Sequence, residues 1–271
     1  MELRPTTDGD LPALHAIFLG AIGSVFLPHG FEPPTPTLET FSNLQGHLLR
    51  TGTSIVAEAD GRVVGYGSSW VRGDDWFLAS LFVAQAAHGQ GVGTSLLDAV
   101  WTPATRRRTM TDAIQPISNA LYGGRGLVPA TPLLTFLGRP QIEVPLAQGT
   151  GTADLRRIDE LAYGFDREVD HLHWSRHAVR TEWPDAYSYA FPGGEIGPVA
   201  GATPAAAAAA LAAELAAAAG AVRVYIPGSA RLLVEVALAA RLRLAPVPGL
   251  LLLSRGVEPP TALAPSSYAL Y

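Results

Sequence analysis

Residues 81–97 constrain this chain more than any other stretch. Leu81-Phe82-Val83 reads as an apolar strand. It runs into a turn whose glycines alternate with other residues, Gly89, Gly91 and Gly93. An amphipathic helix starting with Thr94-Ser95-Leu96-Leu97 follows directly. A strand–turn–helix unit of this kind belongs to an α/β domain. The first N–H groups of a helix lack intrahelical partners, and the helix dipole favours an anion there. Glycines at that point bare the backbone, so the segment is built to receive a phosphate group.

What is missing narrows the choice. A P-loop needs Lys after its last glycine to reach the terminal phosphates. Thr94 stands there, and the chain contains no Lys at all. A dinucleotide loop follows the first strand of a βαβ unit and has an acidic residue about 20 positions on. Here the loop follows the fourth expected strand, and the next acidic residue, Asp98, lies within the same helix.

At 271 residues the chain has room for two domains. Hydrophobic residues make up 48% and charged residues 16%, which permits a sizeable core. A net charge of −5 argues against a nucleic-acid partner and favours a cationic one. With no Cys there is no thiol nucleophile, disulfide or thiolate metal site. Met1-Glu2-Leu3-Arg4-Pro5 has no signal-peptide pattern, and the Ala-rich run 205–219 is too short and small-sided to span a membrane. No membrane association and a cytoplasmic location are expected.

The periodicities predict a strand at Leu3-Arg4, helices over 11–26 and 38–50, and strands over 53–58, 62–70 and 76–83. Ala59-Asp60-Gly61 makes the hairpin turn between the first two of those three strands. The glycine-turn helix, a strand over 108–114, a helix over 117–122 and a strand over 132–137 follow.

His88-Gly89-Gln90-Gly91-Val92-Gly93 resembles motif A of the GNAT acyltransferases, with His88 where the family has Arg or Gln. Ser118-Asn119-Ala120-Leu121-Tyr122-Gly123-Gly124-Arg125-Gly126-Leu127 resembles the end of motif B, with Leu127 in place of Phe. The β-α-α-β-β-β-α-β-α-β order is also that of the family. The resemblance covers residues 1 to about 140. It implies transfer of an acetyl group from acetyl-CoA to the amine of a small molecule by direct attack. Leu81, Phe82 and Val83 would pair with the pantetheine arm. The backbone of His88, Gly89, Gln90, Gly91, Val92 and Gly93, with the Thr94 hydroxyl, would hold the pyrophosphate. Gln115 stands where Asn is common in the family's cofactor site. Tyr122 would protonate the departing sulfur, since a phenol is neutral at pH 7. Among carboxylates on the central strands, Glu58 is the best placed to act as general base.

The second half repeats the pattern. Helices over 153–163 and 167–179 precede a strand pair, 186–191 and 195–199, turning at Pro192-Gly193-Gly194. Thr203-Pro204 caps the helix over 205–219. A strand over 222–226, a helix over 230–241 and a strand over 250–253 complete it. This resembles a degenerate second GNAT domain, because Gly197 to Thr203 lies where motif A belongs but lacks the alternating glycines. The expected architecture is therefore α/β, two GNAT-like domains in tandem, each a twisted mixed sheet flanked by helices. The expected division is a catalytic domain at 1–140, a boundary at Gly149 to Gly151, a substrate-shaping domain at 150–258 and an extended tail at 259–271. Asp166, Arg167 and Asp170 would line an acceptor pocket, their carboxylates holding a cationic amine. A helix N-terminus with acids favoured by the dipole is the competing explanation. No metal site is expected, although His173 and His177 are spaced i, i+4. Three other functions stay open. The chain can be a pseudoenzyme that binds CoA without turnover, it can use a longer acyl donor or a hydroxyl acceptor, or its second domain can bind a partner protein.

Overall fold

A computed structural model describes residues 1–142 and 151–271; the expected boundary at Gly149 lies outside them. The chain divides into two compact units. The first comprises Met1–Thr109 and Ile114–Arg125, the second Met110–Ala113 and Gly126–Tyr271.

The first unit contains β1 (Glu2–Pro5), α1 (Leu11–Phe26), α2 (Leu38–Thr51), β2 (Thr53–Ala59), β3 (Arg62–Arg72), β4 (Asp75–Val83) and α3 (Val92–Val100). It also holds the first part of β5 (Arg106–Asp112) and α4 (Pro116–Gly123). β1 through β4 pair antiparallel in sequence order, and β5 pairs parallel to β4. α1 and α2 cover one face of this sheet, where Leu14, Ile17, Phe41, Val56 and Tyr66 form a core. α3 covers the other face, where Val92 and Leu96 pack on Ala57. Strand alternation makes both faces possible, because successive side chains point to opposite sides. The helical stretch Asp8–His29 is long and apolar enough to cross a membrane by length and composition. In this structure it buries Leu14, Ile17, Ile22 and Phe26.

The second unit contains β6 (Val128–Gly138), α5 (Leu155–Ala162), α6 (Glu168–His177), β7 (Val179–Trp183), β8 (Ala186–Ala190), β9 (Glu195–Gly201) and α7 (Pro204–Ala217). β10 (Val222–Pro227), α8 (Arg231–Ala239), β11 (Arg243–Leu244), β12 (Gly249–Leu253) and β13 (Leu263–Ala264) complete it. β7, β8 and β9 form an antiparallel series and β9 pairs parallel to β10, the same succession as β2, β3, β4 and β5. α7 and α8 pack Leu211, Leu215, Leu233 and Ala237 into a shared core with Phe136, Val224 and Ile226. The many alanines of α7 let this helix lie close to the sheet.

Three expectations need correction. The strand expected to close a domain at 1–140 is β6, and it belongs to the second unit. It pairs with β10, β11 and β12 there, so the first unit ends at Arg125. The helix expected over 167–179 stops at His177, and Val179–Trp183 is instead the edge strand β7. The tail 259–271 is not a free arm. Leu263 and Ala264 pair with β9, and Leu270 and Tyr271 are buried.

Candidate active site

The glycine turn is built as its sequence suggests. Gly89 and Gly91 adopt φ of 76° and 79°, left-handed values that favour glycine. A Cβ at either would meet nothing within 4 Å, so the turn lies open. Gly91 is the N-cap of α3, which puts the helix's first N–H groups, those of Val92, Gly93 and Thr94, on the exposed side. The residues His88 to Gly91 are exposed and Val92 is buried in the core beneath. The residues present therefore fit a pyrophosphate, held by backbone donors and the dipole of α3.

β4 leads into this turn with one edge unpaired among the described residues. Its pairing with β3 continues to Val83, while its pairing with β5 ends at Leu78 opposite Thr109. The β3 register skips Ala79, a bulge between Leu78 and Ser80. The Ala84 N–H donates to the Val64 carbonyl, so Ala84 faces β3. By antiparallel alternation the Phe82 backbone also faces β3, whereas the N–H and C=O of Leu81 and Val83 face the open edge. Of the three residues expected to pair with pantetheine, Leu81 and Val83 are thus oriented for it. Phe82 is not; its ring stacks on Tyr66 at 5.5 Å and meets Phe18 edge-on at 5.1 Å. The His88 imidazole Nε2 lies 3.0 Å from the Val83 carbonyl oxygen and covers one group of that edge.

Tyr122 sits on α4, buried, with its hydroxyl hydrogen-bonded to Ser118. Burial pushes its pKa up to about 12. A phenol held this high stays protonated at neutral pH and can donate a hydrogen bond. An ion pair between Asp98 of α3 and Arg125, just past α4, at 2.6 Å ties the two helices together. Gln115 is the N-cap of α4, where its carbonyl accepts the Asn119 N–H and side-chain amide.

Two other expected site groups are placed elsewhere. Glu58 accepts a hydrogen bond from Arg4 Nε at 2.9 Å, and Arg4 also holds Asp10 at 2.8 Å. β3 separates Glu58 from β4, about 10 Å at ordinary strand spacing. Its carboxylate is engaged on the β1 side of the sheet, away from the β4 edge. In the second unit Arg167 and Asp170 are fully buried and pair with each other at 2.8 Å. The guanidinium lies over the rings of Tyr163 and Trp174 at 4.7 and 4.8 Å. Asp166 accepts the Glu168 N–H at the start of α6. These three do not line an open pocket; the first-turn acids serve the helix and its core.

Among the described residues, the start of α7 offers no phosphate cradle. Thr203 accepts the Ala206 N–H, and a Cβ at Gly201 would lie 2.4 Å from the Ala207 nitrogen, so the first turn of α7 sits on the end of β9. β8 occupies one edge of β9 along its length, so Leu263 and Ala264 must fill the other, beyond the point where β10 pairs with Ile196. That edge corresponds to the one β4 leaves open. Among the described residues no group of three or more His, Cys, Asp or Glu side chains is placed to hold a metal ion.

Residues 23–122 match the model of the acetyltransferase (GNAT) family. This part of the chain is a GNAT domain. A putative acetyltransferase from Pyrococcus horikoshii is 19% identical with a TM-score of 0.79, over 100% of this chain and 95% of that one. A GCN5-related N-acetyltransferase from Sphaerobacter thermophilus is 15% identical with a TM-score of 0.62, over 95% and 97% of the two chains. Both alignments span both units, so the fold they share is the α/β tandem arrangement of mixed sheets flanked by helices. No curated protein sequence matches this chain. The family is one of acetyl-CoA-dependent acyl transfer, which agrees with an open glycine turn at the end of a half-free strand.

Sequence reading did not single out Gln45, which is buried and donates to Ser80 Oγ at 3.2 Å. It stands four residues after Phe41 on the sheet-facing side of α2, and a lone amide on an otherwise apolar face was the available signal.

Proposed function

We propose that this protein transfers an acetyl group from acetyl-CoA to a small primary amine. The observation that carries this reading is the open Gly89–Gly91 turn following a β4 edge that β5 leaves at Leu78. The backbone of His88 to Gly93, with Thr94, holds the pyrophosphate, and Leu81 and Val83 hold the pantetheine amides once the His88 ring swings aside. The neutral amine attacks the thioester carbon directly, the C–N bond forms as the C–S bond breaks, and the surplus N–H proton leaves with the sulfur, which departs as the free thiol. Tyr122 donates a hydrogen bond to the sulfur as negative charge gathers on it. A chain of net charge −5 suits a cationic acceptor. The second unit has its corresponding edge filled by its own strand and binds no second acetyl-CoA. A cytoplasmic location follows from the need for acetyl-CoA.

The test is release of free thiol from acetyl-CoA with a panel of small amines. Amine-dependent release that a Gly91→Trp variant loses supports the reading. A folded wild type that binds acetyl-CoA but acetylates no amine favours a CoA-binding protein without turnover.

A further inference from the structure

Three serines stand in register across the α1/α2 face of the first unit. Ser54 of β2 is opposite Ser68 of β3, and Ser68 is opposite Ser80 of β4. All three are buried. Two residues along each strand, Val56, Tyr66 and Phe82 form the matching apolar row. Buried hydroxyls are costly unless hydrogen-bonded, and nothing in the packing of this face calls for a polar row. The Ser54 hydroxyl donates to Thr6 Oγ1 at 3.0 Å. A hydroxyl has one proton to give, so in the 2.8 Å contact between Ser54 and Ser68 the donor must be Ser68. The donors therefore all point one way, from Ser68 through Ser54 to Thr6, which is partly exposed.

The inner end of the row is at the reaction edge. Ser80 follows the Ala79 bulge and accepts a hydrogen bond from Gln45 Nε2 at 3.2 Å, leaving its own proton free to be given to Ser68. Directly opposed residues have Cβ atoms about 4.5–5.5 Å apart, so one side-chain rotation closes the gap between Ser80 and Ser68. Gln45 Oε1 has no hydrogen-bond partner among the described residues although Gln45 is only 3% exposed. A buried acceptor of this kind suits an N–H donor beside Ser80.

The geometry points to a hydroxyl relay, Ser80–Ser68–Ser54–Thr6, that carries the proton of the acceptor ammonium from the β4 edge to solvent. The inference rests on the proposed amine acetylation. Gln45 Oε1 accepts one N–H of the ammonium and Ser80 Oγ takes a proton from it. As that N–H bond breaks, Ser80 passes its own proton to Ser68, Ser68 to Ser54, Ser54 to Thr6, and Thr6 to water. Each hydroxyl ends with one proton, and the amine is left neutral to attack. The relay gives the ammonium proton a path to water.

Two measurements test it. Neutron diffraction from deuterated wild-type crystals should show the Ser68 O–D directed at Ser54 and the Ser54 O–D directed at Thr6; the opposite order overturns the relay. Kinetics of Ser54→Ala and Ser54→Thr use the amine that releases thiol fastest in the panel above. Ser54 lies two strands from β4, so a purely structural defect there should leave the pH profile in place. Ser54→Ala should lower kcat about 100-fold, the low end for lost acid–base assistance, with KM for acetyl-CoA unchanged. It should also move the acid limb of the pH profile toward the free-amine value of about 10. Ser54→Thr should restore both. Turnover by Ser54→Ala at the wild-type rate and pH profile overturns the relay alone. A wild type that acetylates no amine fails the reading beneath it, and the relay with it.

Discussion

Leu263 stands opposite Ala200 of β9, on the strand edge that β4 leaves open in the first unit. One fold thus presents the same feature twice, once uncovered beside an open glycine turn and once filled by the chain itself. The proposed function assigns acetyl-CoA to the first unit on this difference. Leu263 is fully buried. Leu263→Ala should cost about 2–5 kcal/mol, as large-to-small core changes do. A melting curve should show the loss, while titration with acetyl-CoA at a temperature where the variant is folded should still give one site per chain. Two sites in the wild type would show that β13 does not close that edge.

Glu58→Gln should leave kcat as it is. Its carboxylate is engaged with Arg4 at the β1–β2 side of the sheet. A fall in kcat with unchanged KM for acetyl-CoA would return Glu58 to the chemistry.

The turn and strand of the first unit were legible in the sequence because they are local. Alternating glycines after an apolar run specify a strand, a left-handed turn and a helix N-terminus without reference to the rest of the chain. The partners of Glu58, Arg167 and Asp170 were not legible, for the opposite reason. Their roles depend on partners brought by folding: Arg4 lies 54 positions from Glu58, and the rings around Arg167 come from Tyr163 and Trp174. The strand over 128–138 was assigned to the wrong unit because nothing local distinguishes a strand that pairs with β10 and β12 from one that closes the first sheet. The serine row was invisible as a set, since register across three strands brings its members together.

Asp170→Asn tests whether the ion pair inside α6 is structural. Removing one member of a buried pair leaves the other charge uncompensated and typically costs about 3–5 kcal/mol. The variant should melt earlier and bind acetyl-CoA as before. A stable variant with a raised KM for the amine would instead place Asp170 at the acceptor.

Stability should fall as pH rises through the range in which Asp112 titrates. Burial pushes this carboxyl up to about 6, against the hydrogen bond from Tyr268 that lowers it. An ordinary Asp loses its proton near 3.9. The folded state holds the proton more tightly than the unfolded chain, so this contribution is fully present below pH ~4 and is lost as pH rises through about 6. At about 1.4 kcal/mol per pKa unit, a gap of roughly two units sets a ceiling of roughly 3 kcal/mol. Asp112→Asn should melt higher than wild type at pH 7.5 and no higher at pH 4. Equal melting temperatures at both pH values would contradict the assignment.

Tyr122→Phe should lower kcat without changing acetyl-CoA affinity. Because burial raises this phenol to about 12, kcat in the wild type should not decline between pH 8 and 10 through its ionisation. A fall in that interval that Tyr122→Phe abolishes would mean the phenol is far more acidic than its surroundings here dictate.

The most direct test of the account is calorimetric titration of the purified protein with acetyl-CoA, wild type beside Gly91→Trp. The account predicts saturable binding to one site per chain in the wild type. It predicts at least a tenfold weaker affinity in the variant, a loss of about 1.4 kcal/mol or more. A folded wild type that does not bind, or a variant that binds equally well, would contradict it.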